Sequence, residues 1–168
     1  MDYVWHYTSP LGGITLAATG HFLTGLWFDG QKNFGDGLSS NYEVRDLPVF
    51  RETLKWLNIY FTGRDPGFTP PFKLKTTPFR QIIFEILLLI PYGSTTTYGQ
   101  IAKEVARKKD LKAMSAQAVG AALGHNLISL IIPCHRVLDS KGKLRGYAAG
   151  EDKKAKLLEL EGVNLRHF

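Results

Sequence analysis

Residues 97–124 read TYGQIAKEVARKKDLKAMSAQAVGAALG, and this stretch decides the fold. Thr97-x-x-Gln100 is a capping box, in which the threonine hydroxyl and the glutamine amide satisfy donors that an opening helix leaves unpaired. The helix it opens runs from Tyr98 to about Lys108, with Ile101 and Val105 one turn apart on its inner face. Lys108-Lys109-Asp110-Leu111-Lys112 is a short basic connection. Ser115 then caps a further helix that continues through Leu123 and stops at Gly124. Two short helices joined by a tight link, the second lined with small residues, read as a helix-turn-helix.

Downstream, Leu130-Ile131-Ile132 reads as a short apolar strand ending at Pro133. Val137-Leu138 and Leu144-Arg145 flank Asp139-Ser140-Lys141-Gly142-Lys143, which reads as a hairpin tip, the wing of a winged helix. Upstream, Thr77 caps a helix expected over 78–90, with Pro78 at its first position and Pro91-Tyr92-Gly93 at its end. The apolar run from Ile82 to Ile90 is too short to cross a bilayer and reads as buried helix.

Further upstream the pattern changes. Val4 to Thr8, Ile14 to Ala18 and Phe22 to Phe28 read as strands of an antiparallel meander, separated by turns at Pro10–Gly13 and Thr19–His21. Gln31 to Ser40 reads as a loop and Leu47 to Tyr60 as an amphipathic helix. Thr62 to Pro78 carries Gly63, Pro66, Gly67, Pro70 and Pro71, so it reads as an extended linker. The expected fold class is α/β in the α+β sense. A small N-terminal α/β domain with an antiparallel sheet (1–75) is followed by a C-terminal, α-rich winged-helix domain (76–168).

Composition sets the outer limits. The 168 residues can bury a core without disulfides or structural metal. Apolar residues make up 44% and charged residues 21%, as in a water-soluble globular chain. No basic start followed by an apolar stretch marks a secretory leader, and no membrane association is expected. The net charge of +6 is unevenly placed: 5 basic residues stand against 7 acidic ones up to Pro70, and 16 against 8 from Pro71 onward. The basic half suits either a polyanion partner or an uncommitted basic surface. The single cysteine, Cys134, excludes an intramolecular disulfide and a cysteine-rich zinc site.

Pro133-Cys134-His135-Arg136 is the densest cluster of reactive groups. A thiol is a weak nucleophile at neutral pH unless an imidazole or cation promotes its ionisation. A turn after Pro133 would bring Cys134 and His135 to one cavity. An imidazole base needs a third group to orient it, and Glu161 is the candidate. On a C-terminal helix from about Asp152, Lys154, Leu157, Leu158 and Glu161 share one face, so the leucines would draw Glu161 inward. The alternative is a frayed last turn with Glu161 in water. Asn126 is either a helix-terminal residue in the left-handed region, a brace for the turn presenting Cys134, or both. Tyr98 reads as an aromatic core residue or a site residue.

Ile132-Pro133-Cys134-His135-Arg136-Val137 resembles the signature of the O6-alkylguanine-DNA alkyltransferases, the methylated-DNA–protein-cysteine methyltransferases. Pro91-Tyr92-Gly93, Thr97-Tyr98-Gly99-Gln100-Ile101-Ala102, Ala118-Val119-Gly120, Asn126 and Gly146-Tyr147 follow the same family's order and spacing. The resemblance is strong over 77–162 and looser over 7–28. It implies single-turnover DNA repair, in which a damaged guanine is rotated out of the duplex and its O6-alkyl group moves to Cys134. O4-methylthymine is a second implied substrate. His135 would be the base acting through a water, Glu161 its orienter and Asn126 the brace. Tyr98 would help protonate the departing guanine. Leu123, Val137, Tyr147, Ala148 and Lys154 would line the base pocket. Thr97, Lys112, Gln117, Ala118, Ala121 and Arg136 would face double-stranded DNA through its minor groove, which the small residues of the second helix can approach closely.

Two departures stand out. Family members carry arginine where this chain has Gln117, which implies weaker DNA binding, and Leu127 stands where proline commonly follows the asparagine. Some relatives bind zinc through N-terminal cysteines, which this chain lacks. No cofactor or metal is expected, and the protein is expected to act as a monomer in a prokaryotic cytoplasm, at the nucleoid. The rival readings are a lesion binder without transfer, a winged-helix transcription regulator, and a thiol hydrolase built on Cys134, His135 and Glu161.

Overall fold

The computed structural model describes residues 1–165, so the last three residues of the expected C-terminal domain lie outside it. The chain forms two compact units. One comprises Met1–Lys75 together with Leu127–Ile131; the other comprises Thr76–Asn126 and the chain from Ile132 onward.

The first unit is built on a four-stranded sheet, ordered β3-β2-β1-β4. Strands β1 (Asp2–Ser9), β2 (Gly12–Thr19) and β3 (Phe22–Phe28) are an antiparallel meander, with Trp5 opposite Leu16 and Leu16 opposite Leu26. Strand β4 (Tyr42–Val44) is only three exposed residues long and pairs in parallel with β1. Helix α1 (Pro48–Tyr60) buries Val49, Phe50, Trp56, Leu57 and Tyr60, and packs on β2 and β3. Each large apolar side chain buried this way contributes about 2 kcal/mol. Gly25 is required where it stands, because a β-carbon there would lie 2.1 Å from the Trp27 ring.

The outer edge of β3 is not left open. Leu23 donates to Pro71 O and accepts from Lys73 N, so part of the stretch expected to be a linker is instead paired to the sheet at Phe72. Leu26 does the same with Leu127 O and Ser129 N, pairing with Ile128. Covering an edge in this way uses backbone groups that would otherwise invite another chain. Leu130 has a positive φ of 71°, so the strand expected over 130–132 is a turn. The paired residue is Ile128, two positions earlier.

The second unit is helical. Helix α2 (Pro78–Leu87) is capped by Thr77, whose hydroxyl accepts from Arg80 N. It ends three residues before the expected Ile90, leaving Leu88 exposed and Leu89 74% exposed. Pro91 disfavours helical geometry at Ile90, which unwinds the last turn.

Helix α3 (Tyr98–Lys108) has both hydrogen bonds of the Thr97–Gln100 capping box and buries Ile101, Ala102, Val105 and Ala106. It closes with Leu111 N on Ala106 O and Asp110 N on Arg107 O, Asp110 being left-handed at φ 54°. That is the Schellman pattern with aspartate in glycine's usual place. Helix α4 (Ala116–Leu123) starts at Ser115, whose hydroxyl accepts from Gln117 N and Ala118 N, and packs on α2 and α3. Helix α5 (Glu151–Leu160) buries Lys154, Leu157 and Leu158.

The wing differs from the expected hairpin. Val137–Leu138 forms strand β6, but its partner is the parallel β5 (Thr96–Thr97), not Leu144-Arg145. Asp139 shapes the tip: its backbone N donates to Lys143 O, and its carboxylate accepts from Lys141 N and Lys143 N. One aspartate closing its own loop replaces a ladder.

Candidate active site

The site begins with a change of chain direction. Pro133 precedes a 3-10 turn, Cys134–Arg136, that places three reactive side chains in succession, all buried. Cys134 is 7% exposed. Asn126, just past α4, donates its amide to Ile132 O at 2.8 Å and to Cys134 Sγ at 3.3 Å. Its φ is not positive, so the left-handed role is ruled out and the bracing geometry is what the residue has. Gly124 ends α4 where the sequence places its stop, with φ −62°, as an ordinary helix C-cap.

His135 is fully buried, with Nε2 2.6 Å from Glu161 Oε2. Glu161 caps α5, whose leucines hold it inside. Its carboxylate also accepts from Arg136 Nε at 2.8 Å, from Arg136 Nη2 at 3.1 Å and from Gly93 N at 3.0 Å. Gly93 has φ 79°, and a β-carbon there would sit 3.2 Å from Glu161 O. The third guanidinium nitrogen, Arg136 Nη1, donates to Ile90 O at 2.7 Å.

The expected DNA-facing role of Arg136 is therefore corrected. Each of its three guanidinium nitrogens donates inward, to Glu161 or Ile90, and the residue is buried. The fork of a guanidinium matches a carboxylate bidentately, and burial strengthens that match. Sequence reading missed Gly93 as a site residue altogether. Its signal was a glycine directly after Pro91-Tyr92, where a turn needs positive φ.

The electrostatics follow from this packing. Burial pushes the Cys134 thiol up, although the Asn126 hydrogen bond and the Lys154 charge pull it down. Burial likewise lowers His135, more than Glu161 raises it. The resting pair is a neutral thiol and a neutral imidazole. With Nε2–H donated to Glu161, the imidazole lone pair lies on Nδ1. Burial alone would raise Glu161, but His135 and Arg136 outweigh it and bring the carboxyl to about 2. Because Arg136 carries permanent charge, Glu161 stays ionised while His135 is neutral.

The wall opposite is the turn at Arg145–Gly146. Tyr98 donates its hydroxyl to Arg145 O at 2.6 Å, and burial raises its pKa to about 12, so it keeps its proton. Lys154, fully buried, donates to Arg145 O and Gly146 O, each at 3.0 Å. The Tyr147 ring lies edge-on to His135 with centroids 6.4 Å apart. Tyr147 and Ala148 are half-buried, Leu123 is nearly closed off, and Val137, in β6, is fully buried.

A groove of about 570 Å³ runs between α3, α4 and the loop from Asp139 to Gly146. Gln117 and Ala121 line it together with Tyr98, Gly99, Ala116 and Gly120. Gln117, Ala121 and Lys112 are exposed, and Ala118 and Thr97 are half-buried. Among the described residues no cluster of histidine, cysteine and carboxylate side chains is arranged to hold a metal ion.

Residues 3–74 match the family model of the 6-O-methylguanine DNA methyltransferase, ribonuclease-like domain, and residues 78–163 match that of the 6-O-methylguanine DNA methyltransferase, DNA binding domain. The methylated-DNA–protein-cysteine methyltransferase of Mycobacterium tuberculosis (strain ATCC 25618 / H37Rv) is 40% identical over 159 residues, covering 91% of this chain and 88% of its own. That of Methanosarcina acetivorans is 39% identical over 161 residues, covering 93% and 96%. The crystal structure of Mycobacterium tuberculosis OGT in complex with DNA superposes with a TM-score of 0.81 at 39% identity, over 95% of this chain and 92% of that one.

Proposed function

Because the chain belongs to the 6-O-methylguanine DNA methyltransferase family, we propose that its Cys134 is the acceptor in repair of alkylated guanine in DNA. The protein is a methylated-DNA–protein-cysteine methyltransferase, and its partner is DNA carrying the alkylated base. One observation carries the assignment to Cys134: the buried thiol accepts from Asn126 and is followed in the same turn by His135, whose partner Glu161 is held by Arg136.

The chemistry balances on these groups. Cys134 Sγ attacks the alkyl carbon on guanine O6, so a C–S bond forms as the C–O6 bond breaks. The thiol proton passes through a water to His135 Nδ1, and the imidazolium so formed is stabilised by Glu161, already ionised and held by Arg136 and Gly93. The bonding pair leaves with guanine, which takes a proton from Tyr98; the proton that left Cys134 is released from His135 to solvent and the tyrosinate takes one back, so both side chains end neutral. A thioether does not reverse under these conditions, so each molecule acts once. The nucleophile is generated at the moment of attack, which suits a buried thiol that would otherwise be a weak acid.

Gln117, Ala118 and Ala121 on α4, with Thr97 at the start of α3 and Lys112 in the link, form the surface that meets the minor groove. The flipped base enters beside the Arg145–Gly146 turn, against Tyr147 and Ala148. O4-methylthymine is the second substrate. The first unit is structural and the second carries DNA binding and transfer. The protein works as a monomer at chromosomal DNA in the cytoplasm; among the described residues no helix is long and apolar enough to cross a membrane. The test is the mass of the intact protein after incubation with a duplex holding one O6-methylguanine.

A further inference from the structure

Of the residues lining the groove between α3, α4 and the Asp139–Gly146 loop, only Asp139 and Arg145 carry charge, and both belong to the loop. The helical walls are neutral: α3 contributes Tyr98 and Gly99, and α4 contributes Gln117 among small residues. The backbone of Arg145 is fixed at its carbonyl, which accepts from the Tyr98 hydroxyl at 2.6 Å and from Lys154 Nζ at 3.0 Å. Its side chain is held far more loosely. It is 68% exposed, and Nε stands 3.6 Å from Asp139 Oδ2, too far for a good hydrogen bond. Among the described residues the guanidinium has no other ion partner.

Asp139 is the anchored member of the pair. Its Oδ1 accepts from Lys141 N at 2.9 Å and from Lys143 N at 2.7 Å, which closes the loop and leaves Oδ2 toward Arg145. Those backbone donors also hold the carboxyl below its ordinary range, so it stays ionised at neutral pH. A fixed carboxylate beside a groove repels phosphate unless a cation covers it. An exposed ion pair is weak, so the guanidinium can change partners readily. Its planar fork matches two oxygens of one phosphate better than it matches a single distant carboxylate oxygen.

We propose that Arg145 is the phosphate-gripping residue of this groove: it leaves its loose pairing with Asp139 for a backbone phosphate of the bound DNA, and Asp139 is the competitor that keeps the guanidinium over the groove until DNA arrives. The inference rests on this groove as the surface that meets DNA, and adds to that reading a cation from the loop where the facing helices supply none. Asp139→Asn keeps an oxygen for the N–H groups of Lys141 and Lys143 while removing the competing charge. Substitutions of the two partners should therefore act in opposite directions.

The experiment is DNA affinity by fluorescence anisotropy, with an undamaged duplex at several salt concentrations. It compares the wild type, Arg145→Gln, Asp139→Asn and Lys156→Gln, the last an equal loss of charge at an exposed position on α5. Arg145→Gln is expected to weaken binding and to reduce the log–log salt slope by about 0.9, the share of one phosphate. Asp139→Asn should tighten binding by about two- to fivefold at an unchanged slope. Lys156→Gln should keep the wild-type slope. A slope for Arg145→Gln no different from that of Lys156→Gln would overturn the proposal, and so would weaker binding by Asp139→Asn. Should Arg145→Gln fail to fold, Arg145→Lys serves in its place. It keeps the charge and loses the fork, so affinity should fall at an unchanged slope, and undiminished affinity would overturn the proposal. A wild type that binds no duplex at any salt would instead remove the DNA-binding reading on which the inference rests.

Discussion

Arg136 grips Glu161 with two parallel hydrogen bonds, Nε to Oε1 at 2.8 Å and Nη2 to Oε2 at 3.1 Å, and both side chains are buried. The residue two places after Cys134 is thus tied to the carboxylate that pairs with His135. The carboxylate has a permanent counter-charge and does not depend on His135 being protonated. That leaves the buried imidazole neutral.

Breaking this fork should therefore be costly. Arg136→Met leaves a buried carboxylate with one cation fewer, a change expected to destabilise by about 3–5 kcal/mol. Arg136→Lys keeps the charge but loses the bidentate geometry and should recover only part of this. Urea unfolding of the three chains checks it; a loss under about 1 kcal/mol for Arg136→Met would contradict the assigned role.

Asn126→Ala removes one donor shared between Ile132 O and Cys134 Sγ. A hydrogen bond to a buried acceptor is worth about 1–3 kcal/mol, so the transfer rate should fall about 10- to 100-fold. Asn126→Asp should fare worse, because it places a like charge beside a developing thiolate. Single-turnover kinetics at saturating DNA separate this loss from any change in binding.

Acid should unfold the second unit in two stages. His135 is lowered from its ordinary 6.5, so below that pH the unfolded chain binds a proton that the folded one refuses, and stability falls. Glu161 is lowered from 4.5 to about 2, so its contribution is complete above 4.5 and is lost as pH falls toward 2. Both act in one direction. Melting temperature followed from pH 7.5 to 3 should decline from about pH 6.5 in the wild type, and His135→Gln should delay the onset. A wild type that is flat between pH 6.5 and 5 would count against a buried neutral imidazole.

Gln117 is exposed at the groove, where the family resemblance places an arginine. Gln117→Arg should tighten DNA binding at low salt and steepen the log–log salt dependence by about 0.9 if one phosphate is neutralised. Fluorescence anisotropy with undamaged duplex at several salt concentrations measures the slope. An unchanged slope would place residue 117 away from the phosphates.

What could be read from the sequence was what is decided locally. Thr97 with Gln100, and Ser115 before its run of small residues, marked two helix starts because capping involves residues only three apart. The face shared by Lys154, Leu157, Leu158 and Glu161 was legible for the same reason, since helical spacing alone sets it. Features joined across long separations were not. Nothing near Ile128 announces that it will pair with Leu26, and nothing near Val137 names Thr96 as its partner. Arg136 was misread because a cation beside a basic helix-turn-helix suits DNA as well as it suits a carboxylate 25 residues on. Gly93 and Glu161 are 68 residues apart, and only the fold brings that N–H to that oxygen.

The central claim is that Cys134 accepts the alkyl group, and intact-protein mass tests it most directly. Wild type and Cys134→Ser are each incubated with a duplex carrying one O6-methylguanine and with the same duplex undamaged, then digested and mapped. A gain of one methyl group on the Cys134 peptide, seen only in the wild type with damaged DNA and never exceeding one per molecule, is the predicted result. Lesion-specific binding with no gain in mass would contradict it and leave a sensor of damage in place of a repair protein.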